Sequence, residues 1–120
     1  MQILIVDDSK AMRSIVMRAL RQAGFENVSF REAANGKEAL QAIREAAPDL
    51  VLADWNMPEM SGIELLQALR AEGNNVKFGF ITSESDTSVR ELAAKSGALF
   101  LISKPFPPEA VKTALLPVMS

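Results

Sequence analysis

Asp7, Asp8, Asp54, Thr82, Ser83 and Lys104 are the residues whose types and placement could do chemistry together. A carboxylate is a nucleophile and a hard oxygen ligand, a hydroxyl is a hydrogen-bond donor, and a lysine is a compact positive charge. Each group stands at the end of a short apolar run. Ile3–Val6 leads into Asp7-Asp8, Leu50–Ala53 into Asp54, Phe78–Ile81 into Thr82-Ser83, and Ala98–Ile102 reaches Lys104 two residues on. Taken singly, each has a plain reading as a helix cap, a strand-ending turn or a solvated lysine. Four such groups in this order, each at a run's end, point instead to one site. If the runs are neighbouring parallel strands about 4.8 Å apart, the three carboxylates crowd one another. Two carboxylates about 4 Å apart repel by roughly 4 kcal/mol at an effective dielectric near 20. A divalent cation offsets that repulsion, and a lysine two strands from Asp54, roughly 10 Å in backbone terms, has a stem long enough to reach it. The chemistry this supports is attack of the Asp54 carboxylate on phosphorus to give an aspartyl phosphate. The transferred group needs its charge neutralised on several sides and little else.

Composition narrows the alternatives. The 120 residues are 48% hydrophobic and 23% charged, with a formal net charge of −2, so one globular domain over residues 1–120 is expected. There is no Cys and no His, which removes disulfides, thiolate metal sites, imidazole bases and any His-containing triad. A metal must be held by oxygen, which favours Mg²⁺, with Mn²⁺ or Ca²⁺ as alternatives. No basic run offers a nucleic-acid surface. The start Met1-Gln2-Ile3-Leu4-Ile5-Val6-Asp7-Asp8 lacks a signal peptide's basic region, and no apolar run approaches the roughly eighteen residues of a membrane span, so a cytoplasmic address is expected.

The elements that would position these residues alternate strictly. A helix over Lys10–Ala23 follows the first strand, with Met12, Ile15, Val16, Ala19 and Leu20 on one face, Ser9 or Asp8 as cap and Gly24 as stop. A more polar strand over Val28–Glu32 has the composition of an edge. The second helix opens at Asn35-Gly36, carries Ala39, Leu40, Ile43 and Ala47, and stops at Pro48. The later helices cover Ser61–Ala71, Asp86–Ser96, which is thin in apolar residues, and Pro108–Leu116, which Pro117 ends. Five βα units in a row predict a doubly wound parallel sheet of order 2-1-3-4-5, with the polar second strand at an edge.

At Asp7-Asp8, Asp54-Trp55-Asn56-Met57-Pro58, Thr82-Ser83 and Lys104-Pro105-Phe106 the sequence resembles the receiver domain of two-component response regulators, over the whole chain and nearest to the chemotaxis regulators. The resemblance implies a flavodoxin-like (βα)5 fold, with Asp54 as phosphoacceptor. It implies Mg²⁺ on Asp8, Asp54 and the Asn56 carbonyl, with Asp7 acting through a water or hydrogen bond. Thr82, Ser83 and Lys104 would contact the phosphoryl group, and the Lys104–Pro105 bond would be cis. The donor would be a histidine kinase's phosphohistidine, and the domain would catalyse its own phosphorylation and dephosphorylation. A monomer is expected, which reports its state to a protein target through the surface of the fourth helix, fifth strand and fifth helix. Asn56 and Glu84 flank the site, where they would tune dephosphorylation.

One departure stands out. The family's usual aromatic three residues before the lysine is here Leu101, beside Phe100, and the chain has no Tyr. The aromatic part of the switch is therefore either missing or carried by Phe100, with Phe100 expected in the core and Leu101 at the output surface. Rival readings are a receiver from a longer regulator, or a phosphate relay without its own output. An Asp-nucleophile phosphatase of the haloacid dehalogenase type would want Asp-x-Asp where Asp7 and Asp8 are adjacent. A flavin-mononucleotide carrier would not set two carboxylates against its phosphate.

Overall fold

The computed structural model describes residues 1–119. Strands β1 (Gln2–Val6), β2 (Ser29–Ala33), β3 (Leu50–Ala53), β4 (Lys77–Thr82) and β5 (Phe100–Ser103) alternate with helices α1 (Lys10–Gln22), α2 (Gly36–Glu45), α3 (Gly62–Ala71), α4 (Thr87–Lys95) and α5 (Pro108–Met119). All pairings are parallel, in the expected order β2-β1-β3-β4-β5. None of the described helices is long and apolar enough to cross a membrane.

The inner strands are apolar at nearly every position because both faces are covered. The period of two divides them between two cores. Leu4, Val6, Val51, Ala53, Phe78 and Phe80 face α2, α3 and α4. Ile3, Ile5, Leu50, Leu52, Ile81 and Ile102 face α1 and α5. β2 is half-exposed along most of its length, as an edge strand is, and α4 buries Ala93 alone.

The helix starts follow local chemistry. Ser9, Asn35, Ser61 and Asp86 each accept a backbone N–H of the first turn, and Ser61 with Glu64 forms a capping box. Three boundaries differ from the sequence reading by more than one residue. α5 runs through Pro117 to Met119. A proline there removes one N–H close to a helix end that stops anyway, and Lys77 Nζ donates to the Val118 carbonyl at 2.8 Å. α2 stops at Glu45, before Ala47, where Arg31 takes the Ala42 and Ala46 carbonyls at 3.0 and 2.7 Å. β5 begins at Phe100 rather than Ala98, because Ala98 N donates back to Ala93 O around Gly97 at φ 102°.

Candidate functional site

The site forms where β1, β3, β4 and β5 end together. Backbone bonds from Asp7 N to Ala33 O (3.1 Å), from Asp54 N to Val6 O (3.0 Å) and from Lys104 N to Thr82 O (2.9 Å) hold these residues level with the sheet edge. Asp7 is 4% exposed. Its Oδ1 accepts Ser9 N at 2.9 Å and its Oδ2 accepts Lys104 Nζ at 3.0 Å. Lys104 Nζ also donates to Asp54 Oδ2 at 3.2 Å, while Asp54 Oδ1 accepts Trp55 N at 2.6 Å. The lysine therefore bridges two partly buried carboxylates, where such pairing matters more than at the surface. Its reach to Asp54 is as the strand order predicts. Its equal reach to Asp7 is not legible from the sequence.

Asp8 is exposed, and one oxygen from each of Asp7, Asp8 and Asp54 lies within 4.8 Å of the others. This all-oxygen set fits a hard divalent cation such as Mg²⁺. Thr82 is fully buried and its Oγ1 accepts Glu84 N at 3.2 Å; Ser83 beside it is exposed. The exposed Asn56 donates its side-chain amide to Glu84 Oε1 at 2.8 Å across the mouth of the site. The Lys104–Pro105 peptide is cis.

The support behind Asp54 comes from α3 and β4. Gly62 N donates to Trp55 O at 2.9 Å, and a Cβ at Gly62 would lie 2.0 Å from the Asp54 carbonyl oxygen. Only a glycine lets the start of α3 approach this closely. Trp55 packs on Phe80 with ring centroids 4.9 Å apart. Arg13 was not singled out in the sequence. Its Nη1 donates to the Asp7 carbonyl at 2.6 Å and its Nε to Glu32 at 2.9 Å, which ties α1 to the end of β1. No local signal marks it, because its acceptors lie at the end of β1 and on β2.

Phe100 and Leu101 are not brought to the site. They lie on opposite faces of β5, Phe100 toward α1 and α5 and Leu101 toward α4. Both are half-buried, so the sequence expectation of Phe100 as core and Leu101 as surface is too sharp a division. β5 is an edge strand, and an edge leaves both of its faces incompletely covered.

The response regulator receiver domain family matches residues 3–116. The chain belongs to this family. The receiver domain is 41% identical to the chemotaxis protein CheY-3 of Vibrio cholerae over 117 residues, which cover 96% of this chain and 88% of the relative. It is 37% identical to a probable chemotaxis protein CheY of Rhizobium etli over 116 residues, 95% and 88% of the two chains. Among solved structures it resembles the chemotaxis protein CheY4 of Vibrio cholerae, with a TM-score of 0.84, 32% identity and 98% of each chain covered. The receiver domain is thus a response regulator of two-component signalling, with the flavodoxin-like fold read from its sequence. Receiver domains generally bind Mg²⁺ at an acidic cluster and carry phosphoaspartate, and Asp7, Asp8 and Asp54 form an acidic group of this kind here. They act between a histidine kinase and downstream targets.

Proposed function

We propose that Asp54 accepts a phosphoryl group from a histidine kinase, and that the domain then changes its binding to a chemotaxis target. The observation that carries this reading is the placement of Lys104 Nζ between Asp7 and Asp54 beside a third carboxylate. That arrangement sets a carboxylate nucleophile at a strand end, with the Lys104 side chain beside it to meet the incoming charge. Asp54 needs no base, since it attacks as the carboxylate. A new bond forms between an Asp54 oxygen and phosphorus as the phosphohistidine P–N bond breaks. The electron pair of that bond returns to the ring nitrogen, which leaves as neutral imidazole when the other nitrogen carries the proton.

Asp8, Asp54 and the Asn56 carbonyl would hold Mg²⁺, with Mn²⁺ as a substitute, and Asp7 would support them through its hydrogen bonds. When bound, the cation neutralises charge on the transferred oxygens. Lys104 neutralises a second side, and the hydroxyls of Thr82 and Ser83 donate to the phosphoryl oxygens. The Asn56–Glu84 pair spans the mouth and would meter access of water to the aspartyl phosphate. The output surface would be α4, β5 and α5, with Thr82, Phe100 and Leu101 relaying the change. The proposal includes a monomeric domain acting in the cytoplasm.

The test uses Trp55, which adjoins Asp54 and is the single tryptophan. Its fluorescence should change on adding Mg²⁺ and change again on adding acetyl phosphate, with a gain of one phosphoryl group in the intact mass. Asp54→Asn should lose the second change and the mass gain. A mass gain that persists in Asp54→Asn would assign the acceptor elsewhere.

A further inference from the structure

α4 is held to the molecule by little apolar surface, since Ala93 is its one buried residue. Its polar tie is Arg90. The Arg90 guanidinium donates from Nε to the Ser85 carbonyl at 3.1 Å and from Nη2 to Ser103 Oγ at 2.9 Å, and Nη1 makes a long contact with the Leu101 carbonyl at 3.5 Å. One rigid fork thus joins the loop after β4 to the outer margin of β5. Both segments carry site groups. Thr82 and Glu84 stand just before Ser85, and Lys104 follows Ser103. Behind the fork, between α4 and β5, lies a depression of about 130 Å³ lined by Arg90, Ala93, Leu99 and Leu101 among others.

We propose that Arg90 is a latch that holds the loop after β4 in the arrangement seen here and so opposes the rearrangement that accompanies phosphorylation. This rests on the reading of Asp54 as the phosphoacceptor. The fully buried Thr82 hydroxyl accepts Glu84 N at 3.2 Å. In this proposal the Thr82 side chain turns toward a phosphoryl group on Asp54 and draws residues 83–85 with it through the bond to Glu84 N. Ser103 stays in register, because it pairs with Thr82 in the sheet and the next residue bonds Thr82 O. A planar fork cannot follow Ser85 and keep Ser103 at once, so the shift breaks at least one of its bonds. Bonds made in one arrangement and lost in the other bias the equilibrium toward the first. By the same linkage, removing them makes phosphorylation easier. Arg90 is a positioning residue in this account, since it touches neither Asp54 nor the phosphoryl group.

The experiment compares the full chain with Arg90→Met, Ser103→Ala and the double variant. It follows phosphorylation by acetyl phosphate at saturating Mg²⁺ through intact mass, with Asp54→Asn as the blank. Arg90→Met should be phosphorylated about twofold faster or more, the low end of what one lost hydrogen bond is worth. Ser103→Ala should show a smaller gain, and the double variant should be no faster than Arg90→Met. A variant that fails to fold would be slower, so a gain in rate does not come from damage. An Arg90→Met rate equal to or below that of the unaltered chain, in a variant whose far-ultraviolet circular dichroism shows it folded, overturns the latch, as do gains that multiply independently in the double variant. If the unaltered chain gains no phosphoryl group at all, the phosphoacceptor reading falls and the latch with it.

Discussion

Lys104 meets Asp7 Oδ2 at 3.0 Å and Asp54 Oδ2 at 3.2 Å, so its charge and a bound cation draw on the same carboxylates. Replacing it with a neutral side chain leaves the acids to the cation alone. Lys104→Met should therefore bind Mg²⁺ several-fold more tightly in a Trp55 titration while losing acetyl phosphate reactivity; weaker Mg²⁺ binding would contradict the shared-site picture. A second argument at this scale concerns Phe100. Its ring lies over Gly79, where an added Cβ would come within 2.2 Å of the ring. Gly79→Ala should cost about 1–3 kcal/mol in urea unfolding, as overpacking does. In a Phe100→Leu background that cost should shrink, because the clashing ring is gone. Equal costs in both backgrounds would mean the two positions do not couple. Asp7, Asp54 and Lys104 were legible as residues of one candidate site because each stands at or just past the end of an apolar run. Arg13 and Arg90 were not, because a charged residue on an amphipathic helix reads as solvated until its acceptors on other elements are seen.

Among the elements, α3 and α4 are anchored in opposite ways. α3 buries Ile63, Leu65, Leu66 and Leu69 and begins against the Asp54 carbonyl, so it is the fixed wall of the site. α4 buries one residue and relies on its cap and on Arg90. The cap is Asp86, whose carboxyl is held below the usual range by the Ser88 hydroxyl and the Val89 N–H. A carboxylate with a depressed folded pKa adds stability above its unfolded pKa, near 3.9, and loses it as the pH falls through the lower folded value. Asp86→Ala should therefore lower the urea midpoint at neutral pH, and the gap from the unaltered chain should narrow as the pH falls below the ordinary carboxylate range. A gap that is constant with pH would remove the carboxylate from the cap. The thinness of α4 was readable from its few apolar residues, Val89, Leu92 and Ala93. The extent of α5 was not, because Pro117 reads as a stop unless it is known to fall in a terminal turn already supported by Lys77.

For the whole molecule, the two cores share one sheet, and the inner strands contribute side chains to both. Neither helical layer keeps its buried face without that sheet, so unfolding should be a single transition, with Trp55 fluorescence and far-ultraviolet circular dichroism giving the same midpoint. Mg²⁺ should shift that midpoint upward in both probes together, by binding the folded form. Separate midpoints would show that the layers on either side of the sheet unfold independently.

The sequence by itself determined the alternation of strands and helices and the residues at the strand ends, and it narrowed the strand order to a few, among which the resemblance to receiver domains picks 2-1-3-4-5. Apolar period, caps and proline and glycine stops are local, and right-handed crossovers leave few ways to connect five such units. It also excluded imidazole and thiolate chemistry, since no His or Cys is present. Tertiary structure alone decided that Lys104 is shared between Asp7 and Asp54, that Asn56 closes on Glu84, that Phe100 lies over Gly79, and that Arg90 binds across the outer margin of β5. Each of these depends on where a long or rigid side chain ends after two distant segments pack, and nothing in the local pattern encodes that distance.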